Sequence, residues 1–172
     1  MHDFEKLIRA VPDFPKKGIL FRDITPALED PRAFREIIDL FAERYAGQGV
    51  TKICGIESRG FILGAALAYA LGAGLVIFRK PGKLPRTTIN AAYSLEYGES
   101  TLHLHTDALH TQDKVVIIDD LVATGGTLTA AVQLVHRIGA SLLETASVIE
   151  LEGLEGRKKL PHGVRLHSLV TY

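Results

Sequence analysis

Two rhythms of apolar and polar residues divide the chain. From Pro31 the apolar residues Phe34, Ile37, Ile38, Phe41 and Tyr45 recur on one helical face. Asp30 before Pro31 supplies the helix start, because aspartate caps free amides and proline suits the first helical position. After Gly47 and Gly49, Lys52-Ile-Cys-Gly-Ile56 is a short apolar run of strand type, and the polar turn Glu57-Ser-Arg-Gly60 leads into the continuous apolar stretch Phe61–Leu71. That stretch falls well short of the roughly 20 residues that span a bilayer, so it predicts a buried helix. Leu75-Val-Ile-Phe78 is a second strand, and Arg79–Arg86, with two prolines and no apolar period, is a candidate mobile loop. Between Thr88 and His105, polar and apolar residues alternate on either side of Gly98 as in a hairpin, with Leu102 and Leu104 facing one way and His103 and His105 the other. The cationic loop would then rest on a β-ribbon. Lys114-Val-Val-Ile-Ile-Asp119 is the clearest strand, since a continuous β-branched run suits the centre of a sheet covered on both faces. A helix over Thr127–Ile138 carries Leu128, Ala131, Leu134, Val135 and Ile138 at helical spacing and stops at Gly139. Strands at about Leu143–Glu150 and Val164–Val170 follow.

Strands alternating with helices predict an α/β fold, a parallel twisted sheet flanked by helices with ligands at the carboxyl ends of the strands. No repeat, low-complexity segment or Pro/Ser-rich linker interrupts the 172 residues, which are read as a single domain. Twenty basic residues balance twenty acidic ones, so no overall positive field draws the chain to nucleic acid or to a membrane, and any anion site must be local. The lone Cys54 has no partner for an internal disulfide and the first residues lack the apolar run of a signal peptide, which sets the expectation of a cytoplasmic location. Within an apolar strand its thiol acts as a small hydrophobe. His103 and His105 share a strand face without a third ligand at matching spacing, so they are expected to face solvent or a partner rather than a metal. Glu155-Gly-Arg-Lys-Lys159 is short and preceded by acids, and is read as a solvated helix face.

The most informative segment is Val115-Val-Ile-Ile-Asp-Asp-Leu-Val-Ala-Thr-Gly-Gly-Thr127. It sets Asp119 and Asp120 at a strand end, then the small-residue loop Ala123-Thr124-Gly125-Gly126, then a helix start at Thr127. Glycines let the backbone approach an anion closely, and free amides at a helix N-terminus bind phosphate with help from the helix dipole. Thr124 and Thr127 add hydroxyl donors. Two adjacent carboxylates sit badly beside a phosphate but suit the diol of a ribose, whose hydroxyls donate to charged acceptors. The combination specifies a ribose 5-phosphate. No Gly-Lys-Ser/Thr loop and no Gly-x-Gly-x-x-Gly after a strand is present, which weakens ATPase and dehydrogenase readings.

This segment resembles the signature with which type I phosphoribosyltransferases bind phosphoribosyl pyrophosphate (PRPP), and from about Phe14 to Tyr172 the chain is similar to the adenine-specific branch. The resemblance implies a small N-terminal hood over about residues 1–30, a core over about 31–172 and a mobile β-hairpin loop. Phe14–Pro26 is similar to the segment that covers the base, placing Leu20, Phe21 and Arg22 around adenine; a buried aromatic in the hood is the competing reading of Phe21. Glu57-Ser-Arg-Gly60 matches the pyrophosphate loop, with Arg59 forking onto phosphate oxygens, although family members often carry aspartate where Glu57 stands. A plain surface arginine is the alternative. Arg79–Pro85 resembles the cationic loop near pyrophosphate, with Lys80 and Lys83 in contact, against the reading of a solvated charge cluster. Tyr93-Ser-Leu-Glu-Tyr-Gly98 is similar to the catalytic hairpin of this branch, with Glu96 as general acid/base and Tyr97 packing over the closed site. Leu151 aligns with a position that packs on the base from the side opposite the hood, or is a core leucine.

By this resemblance adenine and PRPP are converted to AMP and pyrophosphate in purine salvage. Arg59 and Glu96 would serve catalysis, and Asp119, Asp120, Ala123, Thr124, Gly125, Gly126, Thr127, Arg59, Lys80 and Lys83 would bind PRPP. Mg²⁺ is the implied cofactor, held mainly by pyrophosphate and ribose oxygens rather than by protein ligands. A homodimer is implied as well. Two alternatives stand beside this reading: a phosphoribosyltransferase for another base, and a non-catalytic PRPP-binding regulator, which lacks here a basic helix-turn-helix ahead of the hood.

Overall fold

The computed structural model describes residues 2–95 and 98–172, with the backbone alone at Ser94, Leu95 and Gly98. The chain forms two compact units, Met1–Arg44 and Tyr45–Tyr172.

In the first unit a 3-10 turn at Asp3–Leu7 precedes an antiparallel hairpin of β1 (Arg9–Pro12) and β2 (Leu20–Asp23), in which Arg9 lies opposite Asp23. Its loop is fastened by the Gly18 N–H, which donates to Asp13 Oδ1 at 2.7 Å. A short helix α1 (Thr25–Glu29) leads to α2 (Pro31–Tyr45). The start of α2 is the predicted one: Asp30 Oδ1 accepts the Arg32 and Ala33 N–H groups, each at 2.9 Å, satisfying two of the amides a helix leaves free. Ile37 and Phe41, a turn apart on the predicted face, are fully buried.

The second unit is a five-stranded parallel sheet. It contains β3 (Lys52–Ile56), α3 (Arg59–Leu71), β4 (Gly74–Phe78), the antiparallel ribbon β5 (Thr88–Leu95) and β6 (Gly98–His105), then β7 (Lys114–Val122), α4 (Gly126–Ile138), β8 (Ser141–Glu150) and β9 (Leu166–Thr171). The sheet order is β4-β3-β7-β8-β9. From β3 the chain moves outward to β4 and returns to the other side of β3 as β7, so the winding reverses between β3 and β7, whose register sets Lys52 beside Val115. A crevice opens at such a reversal, outside the carboxyl ends of the two strands. Val115, Val116, Ile117 and Ile118 of β7 are wholly buried, as a central strand covered on both faces requires, each contributing roughly 1.5–3 kcal/mol by leaving water. One side of this core packs Leu128, Ala131, Leu134 and Val135 of α4 with Leu102 and Leu104 of the ribbon.

One expectation needs correction. The helix over Phe61–Leu71 is not buried all round: Leu63, Leu67 and Ala68 are covered, whereas Ile62 is 46% and Tyr69 91% exposed. An apolar run without polar interruption hides which face meets the sheet. His103 is half-buried, its ring between the Thr101 hydroxyl at 3.0 Å and the Thr88 hydroxyl at 3.3 Å. Residues Glu155–Lys159, read as a solvated helix face, expose Glu155, Arg157, Lys158 and Lys159. They run into a 3-10 turn, Gly156–Lys159, after a first at Glu152–Leu154, and Gly156 within it is buried. The expected seat of the cationic loop is present: Arg79 N–H donates to the His103 carbonyl at 3.0 Å, His103 N–H donates back at 2.8 Å, and Arg86 pairs with Asp107 at 2.7 Å.

Candidate active site

The loops that follow β3 and β7 meet at the reversal of the winding and line two adjoining cavities. The first, of about 210 Å³, is lined by Asp119, Leu121, Val122, Ala123, Thr124, Gly125, Gly126, Thr127 and Leu128. The second, of about 420 Å³, is lined by Glu57, Ser58, Arg59, Lys80, Tyr93, Asp119, Asp120, Leu121 and Thr127. Asp119, Leu121 and Thr127 belong to both.

The first cavity is an anion cradle. Gly125 caps α4 at φ +76°, a left-handed conformation that favours glycine. The Thr129 N–H reaches back to the Gly125 carbonyl at 2.9 Å, so the amides of residues 126–128 precede the first such bond and are the donors a helix start presents to a ligand. Thr124 is exposed at the rim, and Thr127 sits where the two cavities join.

In the second cavity, packing brings cation and carboxylate together. A Cβ at Gly60 would lie 2.8 Å from the Ile118 carbonyl oxygen and 3.0 Å from Asp119 Oδ1, so glycine lets the start of α3 press against the end of β7. The adjacent Arg59 thereby donates from Nε to Asp120 Oδ2 in a short ion pair. Asp119 receives the Asp120 N–H at 2.9 Å. Burial pushes the Asp119 carboxyl well above the usual carboxylate range and the Asp120 charge pushes the same way, while the Asp120 N–H and the Arg59 charge oppose the rise. The arrangement thus holds one carboxylate balanced by an arginine and a second that favours its proton until something else donates to it.

The peptide between Glu57 and Ser58 is cis. Arg79 Nε donates to Glu57 Oε2 at 3.1 Å, and this bond, despite burial, holds the Glu57 carboxyl below its ordinary value, helped by the Lys80 N–H at 2.8 Å. The Arg79 guanidinium also lies over the Phe61 ring, 5.7 Å from its centroid. Arg79 is therefore a clamp that joins the cationic loop to the loop after β3, a role its sequence gave no sign of.

Of the residues singled out from sequence, Arg59, Lys80, Asp119, Asp120 and Ala123–Thr127 come together here. Lys83 is exposed and outside both linings, its carbonyl accepting from Arg79 Nη1 at 3.5 Å. Leu151 is half-buried and its N–H donates to the Val122 carbonyl at 2.9 Å. Leu20, Phe21 and Arg22 form β2 in the first unit, where the Phe21 ring meets Phe14 edge-on with centroids 5.1 Å apart. Glu96 and Tyr97 lie outside the described residues. Tyr93 and Leu121 line the second cavity without having been singled out; alternation along β5 marks Tyr93 as a half-buried face position but does not say what it faces. Among the described residues, no group of three or more His, Cys, Asp or Glu gathers as a metal site.

Residues 25–165 match the family model described as the phosphoribosyl transferase domain. The adenine phosphoribosyltransferase of Citrifermentans bemidjiense is 54% identical over 172 residues, covering the whole of both chains. Among solved structures, the adenine phosphoribosyltransferase of Rhodothermus marinus superposes with a TM-score of 0.94 at 48% identity, over 98% of this chain and 96% of that one. The enzyme of the same name from Trypanosoma brucei, in complex with AMP, pyrophosphate and ribose-5-phosphate, superposes with a TM-score of 0.89 at 33% identity, over 98% of this chain and 78% of its own.

Proposed function

The chain belongs to the adenine phosphoribosyltransferase family, and we propose that it joins free adenine to the ribose of PRPP, forming AMP and releasing pyrophosphate in purine salvage. The observation that carries this reading is the pair Asp119–Asp120 standing between an amide-lined cradle and a cavity bearing Arg59 and Lys80. A 5-phosphate suits the cradle, a ribose diol suits the two carboxylates, and a leaving pyrophosphate suits the cations. Asp119 lines both cavities, which suits a ribose set between the 5-phosphate and the pyrophosphate of PRPP.

In the proposed reaction N9 of adenine forms a bond to C1′ as the bond from C1′ to the pyrophosphate oxygen breaks, through a transition state with oxocarbenium character. Positive charge grows on the ribose and negative charge on the leaving group. Arg59 and Lys80, with Lys83 when the loop closes, stabilise the departing pyrophosphate, and Asp119 and Asp120 orient the sugar. Glu96 takes up the proton that adenine loses. Closure excludes the water that would otherwise hydrolyse PRPP. Asp119 and Asp120 line the cavity in which Mg²⁺ arriving with PRPP would stand, and there the ion would supply charge neutralisation to the leaving group.

A homodimer belongs to the same proposal. Ile62 and Tyr69 on the outer face of α3 and Leu75 on the edge strand β4 are 46%, 91% and 43% exposed, a set of apolar side chains that a second copy would cover. No described helix is long and apolar enough to cross a membrane. A cytoplasmic location is the matching proposal for a chain whose one cysteine is buried and unpaired.

Competition among bases tests the reading. With PRPP and Mg²⁺ in excess and adenine, hypoxanthine and guanine at equal concentration, AMP should form alone, because a keto group reverses the donor pattern at the purine six-position. IMP or GMP as the main product would overturn the assignment to adenine.

A further inference from the structure

We propose that Glu150, Gly156 and Arg157 form a brace that sets the backbone of the phosphate cradle from behind, and that they are positioning residues for PRPP; this rests on the reading of that cradle given above. A loop of small residues has few side chains with which to fix its own shape. Here the shape is imposed by the 3-10 segment after β8. A Cβ at Gly125 would lie 2.3 Å from the Gly156 carbonyl oxygen, and a Cβ at Gly156 would lie 2.3 Å from the Ala123 carbonyl oxygen and 2.9 Å from the Gly125 nitrogen. The two backbones therefore interlock, each at a glycine. Two hydrogen bonds fasten the same stretch to the end of β7 and to α4, on either side of the loop: Leu151 N–H to the Val122 carbonyl at 2.9 Å, and the Thr129 hydroxyl to the Lys159 carbonyl at 3.1 Å.

Arg157 anchors the segment. Its Nε and Nη2 donate to the two carboxylate oxygens of Glu150 at 3.0 and 2.5 Å, and Nη1 donates to the Leu166 carbonyl of β9 at 2.6 Å. Glu150 is only 5% exposed and also accepts the Ser168 hydroxyl at 2.9 Å, which in turn lies 3.0 Å from the Ser147 hydroxyl. A charge buried at a strand end is costly unless it is paired and bonded, and the proposed chemistry has no use for this one. The planar fork of arginine satisfies a carboxylate and a carbonyl at once, which the point charge of lysine does not. The ion pair thus ties the segment to β8 and β9, and the segment presents Gly156 to the cradle at a fixed height.

Gly153, in the same stretch, provides the control, because a Cβ there meets nothing within 4 Å. Gly156→Ala should raise KM for PRPP by about ten- to a hundredfold, the scale of an ångström-sized misplacement of a binding group, and leave KM for adenine within about threefold. Gly153→Ala should leave both unchanged, and Arg157→Lys should fall between. In the unliganded protein, amide hydrogen exchange at residues 123–127 should quicken in Gly156→Ala and Arg157→Lys but not in Gly153→Ala. The proposal is overturned if exchange there is unaltered in both, or if KM for adenine rises as much as that for PRPP. A wild type that takes up no PRPP would refute the functional reading instead, and the exchange measurement alone would then decide whether the brace exists.

Discussion

Replacing Asp119 by asparagine should stabilise the unliganded protein while weakening its hold on PRPP. The asparagine keeps the shape and an oxygen to accept the Asp120 N–H now held at 2.9 Å, so the change removes little but charge. Burial and the Asp120 carboxylate raise the affinity of Asp119 for its proton, so the folded chain keeps that proton at pH values where the unfolded chain has lost it. The stability this group contributes is therefore full below its ordinary value of 3.8 and drains away as pH rises through the higher folded value. Asparagine does not titrate. The gap between variant and wild type should open across that window and stay constant above it. At neutral pH it should reach roughly 0.5–2 kcal/mol, the usual gain from relieving a functional site, or about 2–4 °C of Tm per kcal/mol for a chain of this size. PRPP should meanwhile lose a charge-assisted hydrogen bond worth about 1.5–3 kcal/mol, hence bind about ten- to a hundredfold more weakly. Thermal melts from pH 4 to 8 and calorimetric titration with PRPP measure the two effects. A variant less stable than wild type at neutral pH, or one with unchanged PRPP affinity, refutes the reasoning.

Arg59→Ala takes the partner from Asp120 as well as a cation from the pyrophosphate side, and should lower kcat about ten- to a thousandfold in steady-state assays. Glu96→Ala should lower kcat by a similar factor of about a hundred or more, with the acidic or basic limb of the pH–rate profile lost. Arg79→Ala frees Glu57, whose lowered pKa contributes stability above its ordinary value that is lost as pH falls through the folded one; the variant should therefore be about 1–3 kcal/mol less stable near pH 7 and nearly equal to wild type in strong acid. Tyr69→Arg together with Leu75→Glu should convert the proposed dimer to monomers in light scattering, and an unchanged mass would remove α3 and β4 from the interface.

What the sequence made legible is local. Capping by Asp30, the wholly buried β-branched run of β7 and the stop at Gly139 each depend on neighbours a few residues away, and each stands where the pattern set it. The β1–β2 hairpin left no comparable trace, because both strands are four residues long and neither has a fully buried residue, so the alternation a covered face imposes is missing. Long-range contacts were illegible for another reason. The family resemblance assigns Arg59 to pyrophosphate and carboxylate chemistry assigns Asp120 to ribose, but neither shows that the two pair with each other across the fold. Likewise the run Glu155–Lys159 carries the charge pattern of a solvated surface, and only the approach of Gly156 to the Ala123 carbonyl reveals its neighbour. The face of α3 left uncovered was hidden by uniform hydrophobicity, which marks a helix for burial without distinguishing the side that meets the sheet.

The most direct test of the central claim is a stoichiometric one: the purified wild-type chain is given adenine, PRPP and Mg²⁺, and AMP and pyrophosphate are quantified together over time. The proposed chemistry predicts that both appear in equal amounts and that neither forms when adenine or PRPP is withheld. Pyrophosphate without AMP, or no product at all, would contradict it.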